Sequence, residues 1–217
     1  MKIKWNGHAS FTITANSGTA LVTDPYESGG YDGGIAYGPV DDRADAVLIS
    51  HEHPDHNHPD DLKGNPKILR GAGEVGDIKV HSALAAHDEE GGKKRGKVTL
   101  FQFEVDRVSV GFLGDLGHVL EDAQVRSLGR IDVLLLPVGG FFTIDAAAAS
   151  KVVDQLKPRL VIPMHFKTPK CKFPIAEADD FAKLFTRVKK VGQSEIELSP
   201  DSLPKSGPEV WIMDFAR

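Results

Sequence analysis

Histidine and aspartate side chains are concentrated in one short stretch, LISHEHPDHNHPDD, at residues 48–61. Imidazole and carboxylate groups are suitable ligands for zinc, and also for manganese or iron. A charged surface loop or an unstructured His-rich tract is the simpler alternative. However, the stretch overlaps the apolar run ADAVLIS at residues 44–50, which predicts a short buried strand leading into the histidines. We therefore interpret it as a metal-ligand segment.

The spacing within this segment suits convergence on one point. Alternate residues of a strand point to the same side, so His51 and His53 can face a common centre. Pro54 disfavours a continuing strand or a helix interior and turns the chain. Asp55 and His56 can then approach the same centre from another direction.

Three later segments follow the same pattern, in which an apolar run ends in a histidine or an aspartate. They are VGFLGDLGH with Asp115 and His118, RLVIPMHF with His165, and VHSALAAHD with His87. A lone histidine after a strand is more often a structural or exposed residue than a ligand. Four such strand ends together indicate an active site, because strand ends that meet at one edge of a sheet readily supply one.

Composition limits the class of protein. The 217 residues are 41% hydrophobic and 26% charged, which is typical of a globular protein, and we expect a single domain. The formal net charge of -5 argues against a nucleic-acid partner. A single cysteine, Cys171, suits a reducing compartment. No signal-peptide pattern and no apolar run of about 20 residues is present, so we expect a soluble, cytoplasmic protein without membrane contact.

Hydrophobic periodicity predicts sheets in the middle of the fold with helices packed outside. Strands are predicted in the first half at 2–5, 10–14, 20–23, 46–49, 67–70, 78–85, 97–105 and 108–113. Helices are predicted at 121–128, 145–156 and 176–188, and further short strands within 131–138, 159–166 and 209–215.

The string HEHPDH resembles the HxHxDH motif of the metallo-β-lactamase superfamily. The strings TDP at residues 23–25, AAHD, GDLGH and PMHF accompany it in the order that this superfamily uses, so the resemblance covers nearly the whole chain. The opening WNGHASFTI and the segment HDEEGGKKRGKV are similar to small metal-dependent hydrolases related to L-ascorbate-6-phosphate lactonase.

This resemblance implies an α/β fold, a four-layer αββα sandwich in a single domain of residues 1–217, with two divalent metal ions. It implies that His51, His53 and His87 bind the first metal, that Asp55, His56 and His165 bind the second, and that Asp115 bridges them. Zinc is expected, with manganese or iron also compatible. Two such ions can share a water, lower its pKa toward about 7 and hold a hydroxide beside the substrate.

The function that follows is hydrolysis of a small anionic ester, lactone or phosphoester by a metal-bound hydroxide. Asp55, Asp115 and His118 are the expected catalytic residues. The alternative is a non-catalytic metal-binding or scaffold protein. Antibiotic-hydrolysing members commonly carry a cysteine where this chain has Asp115, so antibiotic hydrolysis is not expected.

Several roles stay open on the sequence alone. Asp24 is expected to hydrogen-bond to the ligand loop, although it could merely start the turn at Pro25. His8 and His118 either contact substrate or donate a proton to it, or make structural hydrogen bonds. Lys167 is a candidate for orienting a substrate anion.

Two loops allow alternative interpretations. Lys93, Lys94 and Arg95 favour a solvated hairpin tip over an anion-binding loop. Residues 27–38 could form a mobile flap over the site or an ordinary surface loop. An oligomer is compatible with the sequence.

Overall fold

Two β-sheets form the centre of the computed structural model, which describes residues 1–217. Strands are numbered in chain order. The six-stranded sheet has the order β13-β1-β2-β3-β4-β5 and contains β1 (Lys2–Gly7), β2 (Ser10–Thr14), β3 (Ala20–Thr23), β4 (Ala46–Leu48), β5 (Lys67–Leu69) and β13 (Glu195–Glu197).

The eight-stranded sheet has the order β12-β14-β11-β10-β9-β8-β7-β6. It contains β6 (Gly73–Val75), β7 (Ile78–Ala86), β8 (Lys97–Val105), β9 (Val108–Phe112), β10 (Val133–Pro137), β11 (Leu160–Met164), β12 (Val188–Lys190) and β14 (Glu209–Ile212).

Four helices complete the regular structure. They are α1 (Gly30–Gly33), α2 (Asp122–Leu128), α3 (Ala146–Leu156) and α4 (Ala178–Ala182), and a single 3-10 turn spans Pro59–Asp61. The α3 helix begins where the Asp145 side chain accepts a hydrogen bond from the Ala148 backbone N–H, a standard N-cap. The α2 helix packs against β7 and β8, and α3 contacts α4. None of these helices has both the length and the apolar character needed to cross a bilayer.

Alternation along the strands divides the six-stranded sheet into two apolar faces. Leu21 and Leu48 belong to the main core, which also holds side chains of the eight-stranded sheet. Their strand neighbours Val22 and Val47 belong to a second, smaller cluster with Tyr26 and other residues of the segment that follows β3. The predicted α/β sandwich is therefore confirmed, and on this side its outer layer is mostly irregular chain.

The third predicted helix differs most from the structure. Residues 176–188 were expected to be helical, but α4 ends at Ala182 and Val188 begins strand β12. Residues 188–190 pair in parallel with β14, so their backbone N–H and C=O groups find hydrogen-bond partners in the sheet. This pairing competes with a continuation of the helix. The three-residue strands β6, β12 and β13 were not predicted, because their sequences GEV, VKK and EIE hold one apolar side chain each, whereas the equally short β4 lies in an apolar run.

Asp42 ties the outer segment to the six-stranded sheet. Its carboxylate accepts hydrogen bonds from Lys4 Nζ at 2.6 Å, Thr12 Oγ1 at 2.6 Å and Arg217 Nη2 at 2.8 Å. Burial alone would raise the pKa of Asp42, but the hydrogen bonds from Lys4 and Thr12 outweigh it and hold the pKa below its usual range.

We expect Asp42→Asn to lower the free energy of unfolding at pH 7 by about 1–2 kcal/mol. Because the folded pKa lies below the unfolded value, the carboxylate stabilises the fold above about pH 4 and loses that contribution as the pH falls through the folded pKa. Denaturant unfolding should therefore show a difference in unfolding free energy between wild type and Asp42→Asn that is smaller at pH 3 than at pH 7. Asp60→Asn, at an exposed site, should have nearly the wild-type unfolding free energy at pH 7. A destabilisation by Asp42→Asn that does not depend on pH would contradict this account.

Candidate metal centre

The eight-stranded sheet delivers three of the predicted ligands to one edge. Strands β7 and β9 run in the same direction because β8 is antiparallel to both, and β9, β10 and β11 are parallel. His87 directly follows β7, Asp115 lies three residues after β9, and His165 directly follows β11. All three side chains are buried.

The six-stranded sheet delivers the remaining ligands from a loop. Strand β4 ends at Leu48, so His51 and His53 do not alternate along a strand as expected. Their convergence comes instead from the turn that follows, and His51 Nε2 lies 3.0 Å from His53 Nδ1. The prediction that these two side chains face one centre is met by a different backbone geometry.

Asp115 lies between histidines from both sheets. Its Oδ2 atom is 3.2 Å from His56 Nε2, 3.3 Å from His87 Nε2, 3.4 Å from His165 Nε2 and 3.9 Å from His51 Nε2. One carboxylate oxygen is thus close to four imidazole nitrogens. This is the position that a bridging ligand would occupy.

The histidines and carboxylates form three groups with ligand atoms close enough to hold an ion, of which the third, Asp24, His51 and His56, takes one histidine from each of the other two. The first consists of His51, His53 and His87, and the second of His8, Asp55, His56 and His165. The first two groups contain the predicted non-bridging ligands, with His8 as an addition to the second, whereas the predicted bridging ligand Asp115 belongs to none of the three groups. The role of these residues as ligands stays a prediction.

A hydrogen-bond chain behind the groups fixes two histidine rings. Asp24 accepts hydrogen bonds from Ser50 Oγ at 2.5 Å and from His56 Nδ1 at 2.8 Å, so the expected contact of Asp24 with the ligand loop is present. The Ser50 hydroxyl proton is used in that bond, so His51 Nδ1 must donate to Ser50 Oγ at 2.8 Å. Both rings therefore present Nε2 to the centre.

The pKa values of two histidines show how burial and charge act at the centre. Burial lowers the pKa of His51 to about 2, which leaves its nitrogen lone pair available. Burial also acts to lower the pKa of His56, but the nearby charges of Asp115 and Asp55 outweigh it and raise that pKa well above its usual value. The negative charges of Asp55 and Asp115 thus favour a positive charge between them, which a metal ion would supply.

Unpartnered buried atoms agree with metal binding. Asp115 Oδ1 is buried and has no hydrogen-bond partner, and His56 Nε2, although 3.2 Å from Asp115 Oδ2, makes no hydrogen bond of suitable geometry. Buried polar atoms are rarely left without a partner in folded proteins. Since imidazole nitrogen and carboxylate oxygen are donors that zinc accepts, the residues fit a divalent metal.

The backbone is strained at three residues of the centre. His8, Asp24 and His165 have φ angles of 51°, 32° and 50°, in the left-handed region that favours glycine. Such conformations persist where surrounding contacts determine them, and they cluster at functional sites.

His8 and His118 make the structural hydrogen bonds that the sequence left open. His8 is fully buried, and its Nε2 lies 3.1 Å from Asp55 Oδ2, so it holds a candidate ligand and does not line the cavity. His118 Nε2 accepts from the Ala86 backbone N–H at 3.1 Å, and its Nδ1 donates to the Val119 carbonyl at 2.8 Å. Both nitrogens of His118 are engaged, which argues against proton donation.

Lys167 also points elsewhere. Its Nζ donates to the Phe173 carbonyl at 2.7 Å, and it does not line the cavity beside the ligands. The predicted contact of Lys167 with a substrate anion stays a prediction. Lys167 fastens the loop that carries Phe173.

A cavity of about 200 Å³ opens onto Asp115, with His53, Asp55, His87 and His165 in its wall. The remaining wall comes from four other residues. Tyr31 and Arg95 lie in the two loops whose role the sequence left open, and Phe142 and Phe173 had no role assigned from the sequence. A larger cleft of about 510 Å³ runs beside β7 and β8 and includes none of the candidate ligands. Chemistry, and not size, therefore identifies the site.

Tyr31 joins the loop at residues 27–38 to the centre. Its hydroxyl donates to Asp55 Oδ1 at 3.2 Å, while the other oxygen of Asp55 faces His8. The ring is half exposed. The loop thus covers one side of the cavity, and no sequence pattern indicated that a tyrosine would reach Asp55.

A family model described as β-lactamase superfamily domain matches residues 2–165, which include every candidate ligand. The chain belongs to the metallo-β-lactamase superfamily. It is a metal-dependent hydrolase of that superfamily, as its relatives are named. The UPF0173 metal-dependent hydrolase of Thermococcus onnurineus is 31% identical over 85% of this chain and 92% of the relative, and that of Archaeoglobus fulgidus is 29% identical over 84% and 90%.

One solved structure agrees with this assignment of the superfamily, and a second shares the fold. A protein from Thermotoga maritima, described as a candidate Zn-dependent hydrolase of the metallo-β-lactamase superfamily, is 37% identical with a TM-score of 0.81 and 99% coverage of both chains. A candidate metal-dependent hydrolase from Parabacteroides distasonis, 20% identical with a TM-score of 0.64, covers 99% of this chain and 93% of its own and shares the fold. The narrower resemblance to L-ascorbate-6-phosphate lactonase stays a prediction.

Gly117 allows the segment after Asp115 to pack against His87. A Cβ atom at Gly117 would lie 2.2 Å from the His87 carbonyl carbon and 2.2 Å from the Asp88 backbone nitrogen. We expect Gly117→Ala to destabilise the protein by about 1–3 kcal/mol and to weaken zinc binding, because the backbone of His87 must shift. Gly71→Ala, whose Cβ would meet only Ser82 Oγ at 3.9 Å, is the matched control.

Denaturant unfolding and zinc titration of both variants check this expectation. Wild-type stability and zinc affinity in Gly117→Ala would show that the two segments do not depend on this close approach.

Proposed function

We propose that the chain is a dinuclear zinc hydrolase of a small anionic ester, lactone or phosphoester. The observation that carries the proposal is the position of Asp115 Oδ2, 3.2 to 3.9 Å from histidines of both ligand groups. A shared carboxylate suits two-metal hydrolytic sites, in which the ions lie about 3.5–4 Å apart.

The candidate ligands would divide as the first two groups do. His51, His53 and His87 would hold one ion, Asp55, His56 and His165 the other, and Asp115 both. When bound, two divalent ions would polarise the substrate and lower the pKa of a shared water toward about 7.

The surrounding residues position this machinery. Asp24 and Ser50 orient the rings of His56 and His51, while His8 and Tyr31 hold the two oxygens of Asp55. Partners of this kind fix the direction of a ligand and commonly change metal affinity or activity by about 10- to 100-fold when removed. Residues outside the ligand set thus orient the candidate ligands.

Charge supports an anionic substrate. Two divalent ions, two carboxylates and one hydroxide sum to a formal charge of about +1. The whole chain has a net charge of -5, so this preference would be local to the centre. We propose a small-molecule substrate and no nucleic-acid partner, in the cytoplasm.

The rival function is metal binding without turnover, as in a store or scaffold. Both functions need the ligands, but only a hydrolase needs an open position for water and substrate. The cavity of about 200 Å³ beside Asp115 favours the hydrolase.

Two zinc ions per chain should bind to purified protein, and Asp55→Ala should weaken the second ion far more than the first. The physical reason is that Asp55 belongs to only one of the first two groups. Calorimetric zinc titration with metal analysis measures both affinities, and Asp60→Ala is a control at an exposed aspartate of the same segment. A single ion at saturation, or equal weakening of both ions in Asp55→Ala, would contradict the division of ligands.

Zinc-loaded protein should turn over at least one member of a panel of phosphodiesters, lactones and thioesters. Asp115→Asn should reduce that turnover by at least about 100-fold, because it removes the charge shared by both groups while preserving side-chain shape. Asp60→Asn should retain full activity. Tight zinc binding without turnover of any panel member would favour the store or scaffold, and unchanged activity in Asp115→Asn would contradict the mechanism.

A further inference from the structure

An arginine without an ionic partner lines the same cavity as the candidate ligands. Arg95 is partly buried, and its guanidinium carbon lies 5.5 Å from the centre of the Phe142 ring. No hydrogen bond or ion pair within the chain engages its guanidinium, whereas the neighbouring Lys94 pairs with Glu90 at 2.5 Å. The solvated hairpin tip predicted from the sequence suits Lys94, but it is wrong for Arg95.

The loop that carries Arg95 is anchored beside a candidate ligand. The buried Asp88 carboxylate accepts hydrogen bonds from four backbone N–H groups within residues 90–95, at 2.8 to 2.9 Å, and that of Arg95 is one of them. Asp88 directly follows His87. The backbone of Arg95 is therefore held in position relative to the centre before any ligand arrives.

Three aromatic rings complete the wall around Arg95. Phe173 meets Tyr31 edge-to-face at 5.4 Å and Phe142 at 5.5 Å. Such rings favour a flat apolar group, through edge-to-face and offset contacts. Arginine stacked on an aromatic face keeps its fork of N–H donors free for a planar anion such as a carboxylate.

The cavity volume accommodates a small cyclic group, and a second cavity of about 320 Å³ also has Arg95 and Phe142 in its wall. A dry protein cavity of about 150 Å³ binds benzene. The cavity of about 200 Å³ here has room for one six-membered ring with a small substituent. A long chain or a polymer would extend beyond this wall.

We propose that Arg95, together with Tyr31, Phe142 and Phe173, selects a substrate in which a flat apolar ring carries a carboxylate. This proposal rests on the hydrolytic function, since the ester or lactone bond of that substrate would lie at Asp115. Arg95 binds the carboxylate, and the three rings enclose the body of the substrate.

Equilibrium binding to zinc-loaded protein separates the recognition of the carboxylate by Arg95 from the recognition of the ring by the aromatic side chains. Benzoate has the ring and the anion, acetate has only the anion, and benzamide has only the ring. Calorimetry should show that benzoate binds at least about tenfold more tightly than either. Arg95→Met should weaken benzoate binding by about tenfold or more and leave benzamide nearly unchanged.

Lys94→Met is the matched control, because it removes the same charge from the same loop. Lys94 lies outside the cavity that holds the ligands, and Lys94→Met should change benzoate affinity by less than about twofold. Arg95→Lys keeps the charge without the planar fork and should fall between wild type and Arg95→Met. Thermal unfolding of each variant confirms that it is folded.

Hydrolysis supplies a second, independent measurement. Arg95→Met should raise the KM for 4-carboxyphenyl acetate by about tenfold or more, with phenyl acetate changed by less than about twofold. If wild-type protein hydrolyses neither ester and no member of the phosphodiester, lactone and thioester panel while benzoate binding depends on Arg95, the subsite stands and the hydrolytic function fails. If both esters are hydrolysed and Arg95→Met changes neither, the function stands and the subsite is overturned.

Three binding results would also overturn the subsite. They are benzoate binding no tighter than acetate or benzamide, equal losses in Arg95→Met and Lys94→Met, and a loss for benzamide as large as that for benzoate. Equal losses in the two variants would show that benzoate responds only to the positive charge of the loop. An equal loss for benzamide would show that Arg95 maintains the shape of the cavity and does not bind the carboxylate.

Discussion

A buried carboxylate shared by two sheets is the interaction on which the centre depends. Asp115 comes from the loop after β9 of the eight-stranded sheet, while His56 comes from the loop after β4 of the other sheet. A carboxylate without compensation is costly to bury, so the imidazoles of both sheets must converge around it. The packing between the sheets and the glycine at position 117 both serve this convergence, because they allow the loops to approach closely.

The same constraint accounts for the strained backbone. Left-handed conformations at residues other than glycine cost about 1–3 kcal/mol each, and His8, Asp24 and His165 all adopt them. Hydrogen bonds hold them there: the His165 backbone N–H donates to the His8 carbonyl at 3.1 Å, and that of Asp24 donates to the Leu48 carbonyl at 2.9 Å. The large apolar core shared by the two sheets supports this local strain. The fold thus gives up some local stability to direct ligand atoms inward.

Sequence reasoning located candidate ligands that closely follow apolar runs, and it was less informative about residues that loops bring from a distance. The candidate ligands follow apolar runs, so spacing and alternation were informative about them. For the cavity wall, the sequence left a flap with Tyr31 and an anion-binding loop with Arg95 open and gave no sign of Phe142 and Phe173, because all four approach the centre through the path of the loops. Likewise, spacing could not reveal that His118 and Lys167 are engaged by backbone groups. The shortened α4 shows the same limit, since sheet pairing outweighed its helical pattern.

Anomalous diffraction at the zinc edge, from a crystal of the zinc-loaded protein, tests the central claim most directly. The account predicts two anomalous peaks about 3.5–4 Å apart, one beside His51, His53 and His87 and the other beside Asp55, His56 and His165, with Asp115 contacting both. A single peak, or two peaks of which neither contacts Asp115, would contradict it.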